Sequence, residues 1–90
     1  MVYRIEIDSV ARRFLKKLPT SEYQVIRSDI EKLSINPRPE GHIKIINAKG
    51  LYRIRTGSKG DFRIVYMIEN NRLLVTVVRI GSRKEIYRKI

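Results

Sequence analysis

Residues Leu51 to Thr56 and Phe62 to Glu69 alternate as half-buried strands must, and arginines occupy one parity of the alternation. Successive side chains of a strand point to opposite faces, so Arg53 and Arg55 share one face while Tyr52 and Ile54 share the other. Beyond a Gly-rich turn the pattern resumes, with Phe62, Ile64, Tyr66 and Ile68 set against Arg63, Val65 and Met67. A hairpin of these two runs brings three guanidinium groups to one sheet surface. Each carries fixed donors matched to phosphate oxygens and stays charged at physiological pH, so the expected counterpart is a polyanion. A third run, Leu73 to Ile80, follows Asn70-Asn71, where Asn tolerates the positive φ of a tight hairpin turn.

The N-terminal half carries a different periodicity. Val2 to Ile7 alternates as a first strand, and Asp8 or Ser9 can cap a helix over Val10 to Leu18 that Pro19 stops. Thr20 and Ser21 offer new N-caps for a second helix, whose apolar face is Tyr23, Ile26, Ile30 and Leu33 and which ends before Asn36-Pro37. Asn36 to Gly41 is a loop, Ile43 to Ile46 a short strand, and the tail from Gly81 to Ile90 either a strand extension or a helical turn. The predicted fold is α+β: an N-terminal strand, a helical hairpin, then an antiparallel meander forming a curled sheet with the helices on one face. The other face is left for binding. Residues 1–90 read as a single domain.

Charge sharpens this picture. The net charge is +11, and it is uneven: residues 1–47 hold nine basic and six acidic side chains, residues 48–90 eleven basic and three acidic. Such an excess fits nucleic acid, an anionic surface or an acidic protein partner. Cysteine is absent and His42 is the single histidine, which leaves no thiolate chemistry and argues against a metal site. The N-terminus has no continuous apolar run, so neither a signal peptide nor a membrane span is expected, and an intracellular, cytoplasmic location follows as the expectation.

Several motifs then occur in one order: Lys17-Leu18-Pro19, Asn36-Pro37-Arg38-Pro39-Glu40-Gly41, Tyr52-Arg53-Ile54-Arg55, Gly60-Asp61-Phe62-Arg63-Ile64-Val65-Tyr66 and Ile80-Gly81-Ser82-Arg83-Lys84-Glu85-Ile86-Tyr87. Together they closely resemble the RelE/ParE toxin family over nearly the whole chain. The resemblance implies a small α+β toxin of a type II toxin-antitoxin pair, held inactive by an acidic RelB-like antitoxin. For the RelE branch it implies a ribosome-dependent endoribonuclease that cuts mRNA in the A site without metal or cofactor. The catalytic set of that branch maps to Arg53, Arg55, Arg63, Arg83 and Tyr87. Two departures stand out: the segment between Arg55 and Asp61 is long, and both strand positions often filled by Lys are Arg. An arginine cannot be driven to neutrality as a lysine can, so neither Arg53 nor Arg55 suits the role of proton acceptor. The ParE branch implies instead a non-enzymatic toxin that binds DNA gyrase, and an inactive nucleic-acid-binding module is a third reading.

Metal-free RNA cleavage requires the 2′-OH to attack the adjacent phosphate, a proton acceptor, stabilisation of the phosphorane and a proton for the leaving 5′-oxygen. Arg63 and Arg83 suit the phosphorane, Arg53 and Arg55 the backbone, and Tyr87 either the proton or a stacked base. Arg12, Arg13, Lys16 and Lys17 place like charges at i, i+4 twice on the first helix, which costs a few tenths of a kcal/mol per pair and reads either as a ribosome- or RNA-binding surface or as an ordinary solvated face. Lys44, Lys59 and Lys84 are further candidates for RNA contact. Tyr52 and Tyr66 are expected in the core and His42 at the surface.

Overall fold

The computed structural model describes residues 2–46 and 48–89, and the side chains of all of these except Tyr87, Arg88 and Lys89. The chain runs β1 (Arg4–Ile7), α1 (Ser9–Lys16), α2 (Thr20–Ile35), β2 (Ile43–Lys44), β3 (Leu51–Thr56), β4 (Phe62–Glu69), β5 (Leu74–Ser82) and α3 (Arg83–Lys89). The strands form one mixed sheet in the order β1-β5-β4-β3-β2. β3, β4 and β5 are the antiparallel meander, whereas β1 returns to the far edge and pairs parallel with β5, Arg4 opposite Leu74.

Both early helices form for reasons visible in their ends. The Asp8 carboxylate accepts the Val10 N–H at 3.3 Å and starts α1; Pro19, which has no N–H to give, separates it from α2. Thr20 and Ser21, expected as caps, instead lie inside α2, because Pro19 takes the extended capping position. Ala11 and Leu15 of α1 and Ile26, Ile30 and Leu33 of α2 bury against one face of the sheet, on Ile54, Ile64, Tyr66, Val75, Val77 and Ile80. The end of α2 is tied to β1 by Tyr3, whose N–H donates to the Ser34 carbonyl at 2.7 Å and whose carbonyl accepts the Ser34 hydroxyl at 2.8 Å.

The tail resolves into both expected forms. β5 runs on to Ser82, and α3 then folds back onto the opposite face, where Ile86 packs with Val65 and Ile45 in a second small core. Gly81 lies under this helix: a Cβ there would make ordinary van der Waals contact, 3.4 Å from Ile86 Cδ1. The second face is therefore half covered, and its exposed part is the site described below.

The β4–β5 connection differs from the two-residue Asn70-Asn71 turn. Glu69 pairs with Leu74, leaving four residues between them: a single 3-10 turn over Asn70–Arg72 and then Leu73 at φ 47°. Asn70 is occupied otherwise, its side-chain oxygen accepting from the Tyr3 hydroxyl at 3.0 Å and from Arg38 at 3.4 Å. The left-handed position falls on a leucine, where a bulky side chain costs on the order of 1 kcal/mol.

Candidate functional site

Residues opposite one another in an antiparallel ladder share a face, so the strand register fixes what surrounds the arginines. Arg55 faces Arg63 across β3–β4, and Arg63 faces Gly81 across β4–β5; in the neighbouring row Ile43, Arg53, Val65 and Arg79 lie side by side. Arg53, Arg55 and Arg63 line a concavity of about 370 Å³ with Gly41, Ile43 and Ile54, and among the described residues no carboxylate lines it. The convergence predicted for the three guanidinium groups is thus what the register produces.

Arg63 is the most constrained of them. Only 6% of it is exposed, and its Nη1 donates to the carbonyls of Gly60 and Phe62, both at 3.0 Å. A guanidinium has five N–H donors, so these bonds fix the group and leave others for a ligand. Arg55 lies over the same turn, its Cδ 2.9 Å from where a Gly60 Cβ would stand, and only glycine at φ 70° leaves room for that stem.

The long turn between Arg55 and Asp61 is braced from behind. The Glu22 carboxylate accepts the Ser58 N–H at 2.6 Å and the Ser58 hydroxyl at 2.9 Å, while the Thr56 hydroxyl donates to Asp29 at 2.6 Å. Two acids of α2 therefore hold the hairpin tip that carries Arg55 and Arg63, a role that sequence spacing alone did not reveal. Lys59 sits exposed in this turn.

Arg83 begins α3, its N–H donating to the Asp61 carbonyl at 3.1 Å, so its backbone is pinned beside the Arg55–Arg63 row. Lys84 follows it, exposed. Ser82 caps the helix: its hydroxyl accepts the Glu85 N–H at 3.3 Å and donates to the Glu85 carboxylate at 3.0 Å. Tyr87 lies in α3, but its side chain falls outside the described residues.

Other predicted contacts disperse. Lys44 pairs with Tyr52, which puts it on the face opposite Arg53 and Arg55. The basic residues of α1 split into two pairs: Arg12 and Lys16 border the hollow beside β1, with Arg12 donating to the Ile7 carbonyl at 3.3 Å, whereas Arg13 and Lys17 border a groove toward α3. Arg79, which the sequence pattern did not single out, lies in that groove.

The Asn36–Gly41 loop reaches the concavity through Gly41 and is fixed to the opposite face of the sheet by the tyrosines. Fully buried Tyr66 donates its hydroxyl to the Pro37 carbonyl at 2.8 Å, and burial pushes its pKa up to about 12 against the opposing pull of the Arg38 charge. Tyr52 is only half-buried; its ring stacks on Tyr66 at 5.9 Å, carries the Arg38 guanidinium at 5.3 Å and meets His42 at 5.8 Å. His42 is part-buried rather than free at the surface, its Nδ1 lying 2.7 Å from the Pro39 carbonyl. Among the described residues no group of acidic or histidine side chains could hold a metal, and no helix is long and apolar enough to cross a membrane.

A two-helix layer on one face of a five-stranded sheet, with arginines lining a concavity on the other, defines a small basic α+β protein. A model of the ParE toxin of type II toxin-antitoxin systems, parDE, matches residues 3–87, and the chain belongs to this family within the RelE/ParE superfamily. A Methanocaldococcus jannaschii protein that bears the toxin name RelE1 is 30% identical over 91 residues, covering 98% of each chain. The free E. coli RelE toxin, in a doubly substituted mutant, superposes with a TM-score of 0.79 at 24% identity, covering 98% of this chain and 93% of that one. The archaeal RelE–RelB complex from Pyrococcus horikoshii OT3 gives a TM-score of 0.75 at 23% identity, covering 92% and 97%. The chain is a toxin of the type II toxin-antitoxin class.

Proposed function

We propose that this toxin is a metal-independent endoribonuclease of the RelE kind, cutting mRNA in the ribosomal A site and so stopping translation. The observation that carries the reading is the acid-free concavity of Arg53, Arg55 and Arg63, with the backbone of Arg83 fastened at its edge. Like charges placed directly opposite across a ladder destabilise the sheet. An anion bound between Arg55 and Arg63 removes that penalty.

In the proposed reaction the 2′-oxygen attacks the adjacent phosphorus and loses its proton as the bond to the 5′-oxygen breaks, leaving a cyclic phosphate and a protonated 5′-OH. Arg63, held rigidly by two carbonyls, and Arg83 stabilise the phosphorane; such preorganised donors are each worth roughly 3 kcal/mol. Arg53 and Arg55 hold the flanking backbone. No arginine accepts a proton at neutral pH, so Tyr87 is assigned either to the proton or to stacking on the nucleotide. Arg12, Arg13, Lys16, Lys17, Lys59 and Lys84 supply peripheral contacts to RNA or ribosome. Lys44, on the opposite face, serves only if the bound assembly wraps the sheet edge. The partner in the cell is an acidic RelB-like antitoxin that neutralises the +11 chain and covers the cleft.

Primer extension on mRNA in a translating extract tests this directly. Wild-type cuts at A-site codons, weakened in Arg83→Ala, establish the activity. Tyr87→Phe keeps the ring and removes the hydroxyl, so it separates stacking from proton transfer. The family model's ParE description favours one other reading, a gyrase-binding toxin without chemistry. Intact mRNA together with inhibited DNA supercoiling would establish that reading instead.

A further inference from the structure

β5 changes the face it presents partway along its length. Val75 and Val77 point into the core under α1 and α2. The register then slips, Tyr66 opposing Val77 and Val65 opposing Arg79, so Val78 is an extra residue and the alternation restarts in the other phase. Ile80 consequently faces the core, while Arg79 and Gly81 join the face of Arg53, Arg55 and Arg63. Without the bulge Arg79 would point into the apolar layer.

Arg79 borders a groove of about 250 Å³ between α1 and α3, with Arg13 and Lys17 on the α1 side and Ile86 on the other. Among the described residues Glu85 is the single acid at its border, and its carboxylate is engaged by the Ser82 hydroxyl. Among the described residues no carboxylate pairs with Arg13, Lys17 or Arg79.

We propose that this groove is a second phosphate-binding site for single-stranded RNA, with Arg79, Arg13 and Lys17 as its ligands. Arg79 shares a row with Arg53 two strands away, which is about 10 Å at ordinary strand spacing. Arg13 and Lys17 reach the groove from α1 on the other face, so the cationic sites follow one another around the β5 end of the sheet and match a ligand that carries charge at intervals along its length, as a nucleic-acid backbone does and a compact anion does not. The inference rests on the RNA reading of the cleft and extends the bound strand past the reacting nucleotide.

The test is binding of a short 2′-O-methyl RNA, which the proposed reaction cannot cut, followed by fluorescence anisotropy across a salt series. Each phosphate contact contributes about 0.7 to the slope of log affinity against log salt for a single strand. Arg79→Gln is expected to lower that slope by about 0.7 and weaken binding by about three- to tenfold, with Arg79→Lys restoring the slope. Lys17→Gln should act in the same direction. If Arg55→Gln lowers the slope but Arg79→Gln and Lys17→Gln leave it at the wild-type value, the groove is not a phosphate site while the cleft reading stands. If wild-type protein does not bind the RNA at all, the groove proposal falls, while A-site cleavage is decided by primer extension in the translating extract. Loss of affinity in Arg79→Gln that Arg79→Lys does not restore would mark a packing role and also overturn the proposal.

Discussion

Arg55 stands directly opposite Arg63 across the β3–β4 ladder, and no carboxylate among the described residues pairs with either. The fold thus carries a repulsion at the point where the proposed function puts the phosphate. Arg55→Gln is expected to raise stability at low salt by about 0.2–1 kcal/mol while lowering RNA cleavage by about tenfold or more. Added salt should shrink the stability gain, since the repulsion is partly screened. Urea unfolding at two salt concentrations, beside primer extension, checks both halves.

Tyr66 gives the fold an alkaline limit. Its pKa is pushed up to about 12 in the folded protein, against an ordinary tyrosine value near 10. Between these values the unfolded chain gives up the proton and the folded chain keeps it, so this contribution is complete below about pH 10 and is lost as pH rises toward 12. Tyr66→Phe removes the alkaline component, on the order of 2 kcal/mol, and leaves the Pro37 carbonyl unsatisfied at about 1–2 kcal/mol near neutrality. Unfolding midpoints for the two proteins from pH 8 to pH 11 should converge as pH rises.

Glu22 acts on the site from the rear through Ser58. Glu22→Ala is expected to cost about 1–2 kcal/mol, because the Ser58 N–H and hydroxyl lose a charged acceptor, and to lower cleavage by loosening the turn under Arg55 and Arg63. Amide exchange at Ser58 should accelerate far more than exchange in α2. Uniform acceleration across the protein would show a general loss of stability instead.

Ile86 is the anchor of α3, fully buried on Val65. Ile86→Ala should free the helix before it unfolds the sheet, at about 2–3 kcal/mol for the local docking, since the main core lies on the other side. Limited proteolysis is expected to cut the chain after Ser82 in this variant, and cleavage of mRNA to fall with loss of the fixed Arg83.

The antiparallel meander, the helical hairpin and the cationic parity of β3 and β4 were legible because each rests on local period and turn residues. Leu51 to Thr56 and Phe62 to Glu69 carry their arginines on one parity, and the face those arginines share follows. The Val75-Thr76-Val77-Val78 stretch does not: apolar residues occupy both parities, so the bulge that redirects Arg79 left no mark in the pattern. Helix α3 was legible in principle, since Ser82-Arg83-Lys84-Glu85 spells a capping box, but its seven residues are too few for a periodic signal. The Glu22–Ser58 and Asp29–Thr56 ties join residues far apart in sequence, and no local rule announces them. The face of Lys44 was not legible for a simpler reason: parity assigns a face only once the partner of a two-residue strand is known.

The parallel pairing of β1 with β5 also sets the order in which the protein can be made. Arg4 finds its partner Leu74 about 70 residues later, and the same late strand carries Arg79 and leads into Arg83. During synthesis the first strand and helical hairpin must wait for almost the entire chain, because contacts this distant in sequence close last. The strand that locks β1 into the sheet is thus the one that brings Arg79 to the arginine face and leads into Arg83, so sheet closure and completion of that face are a single late event.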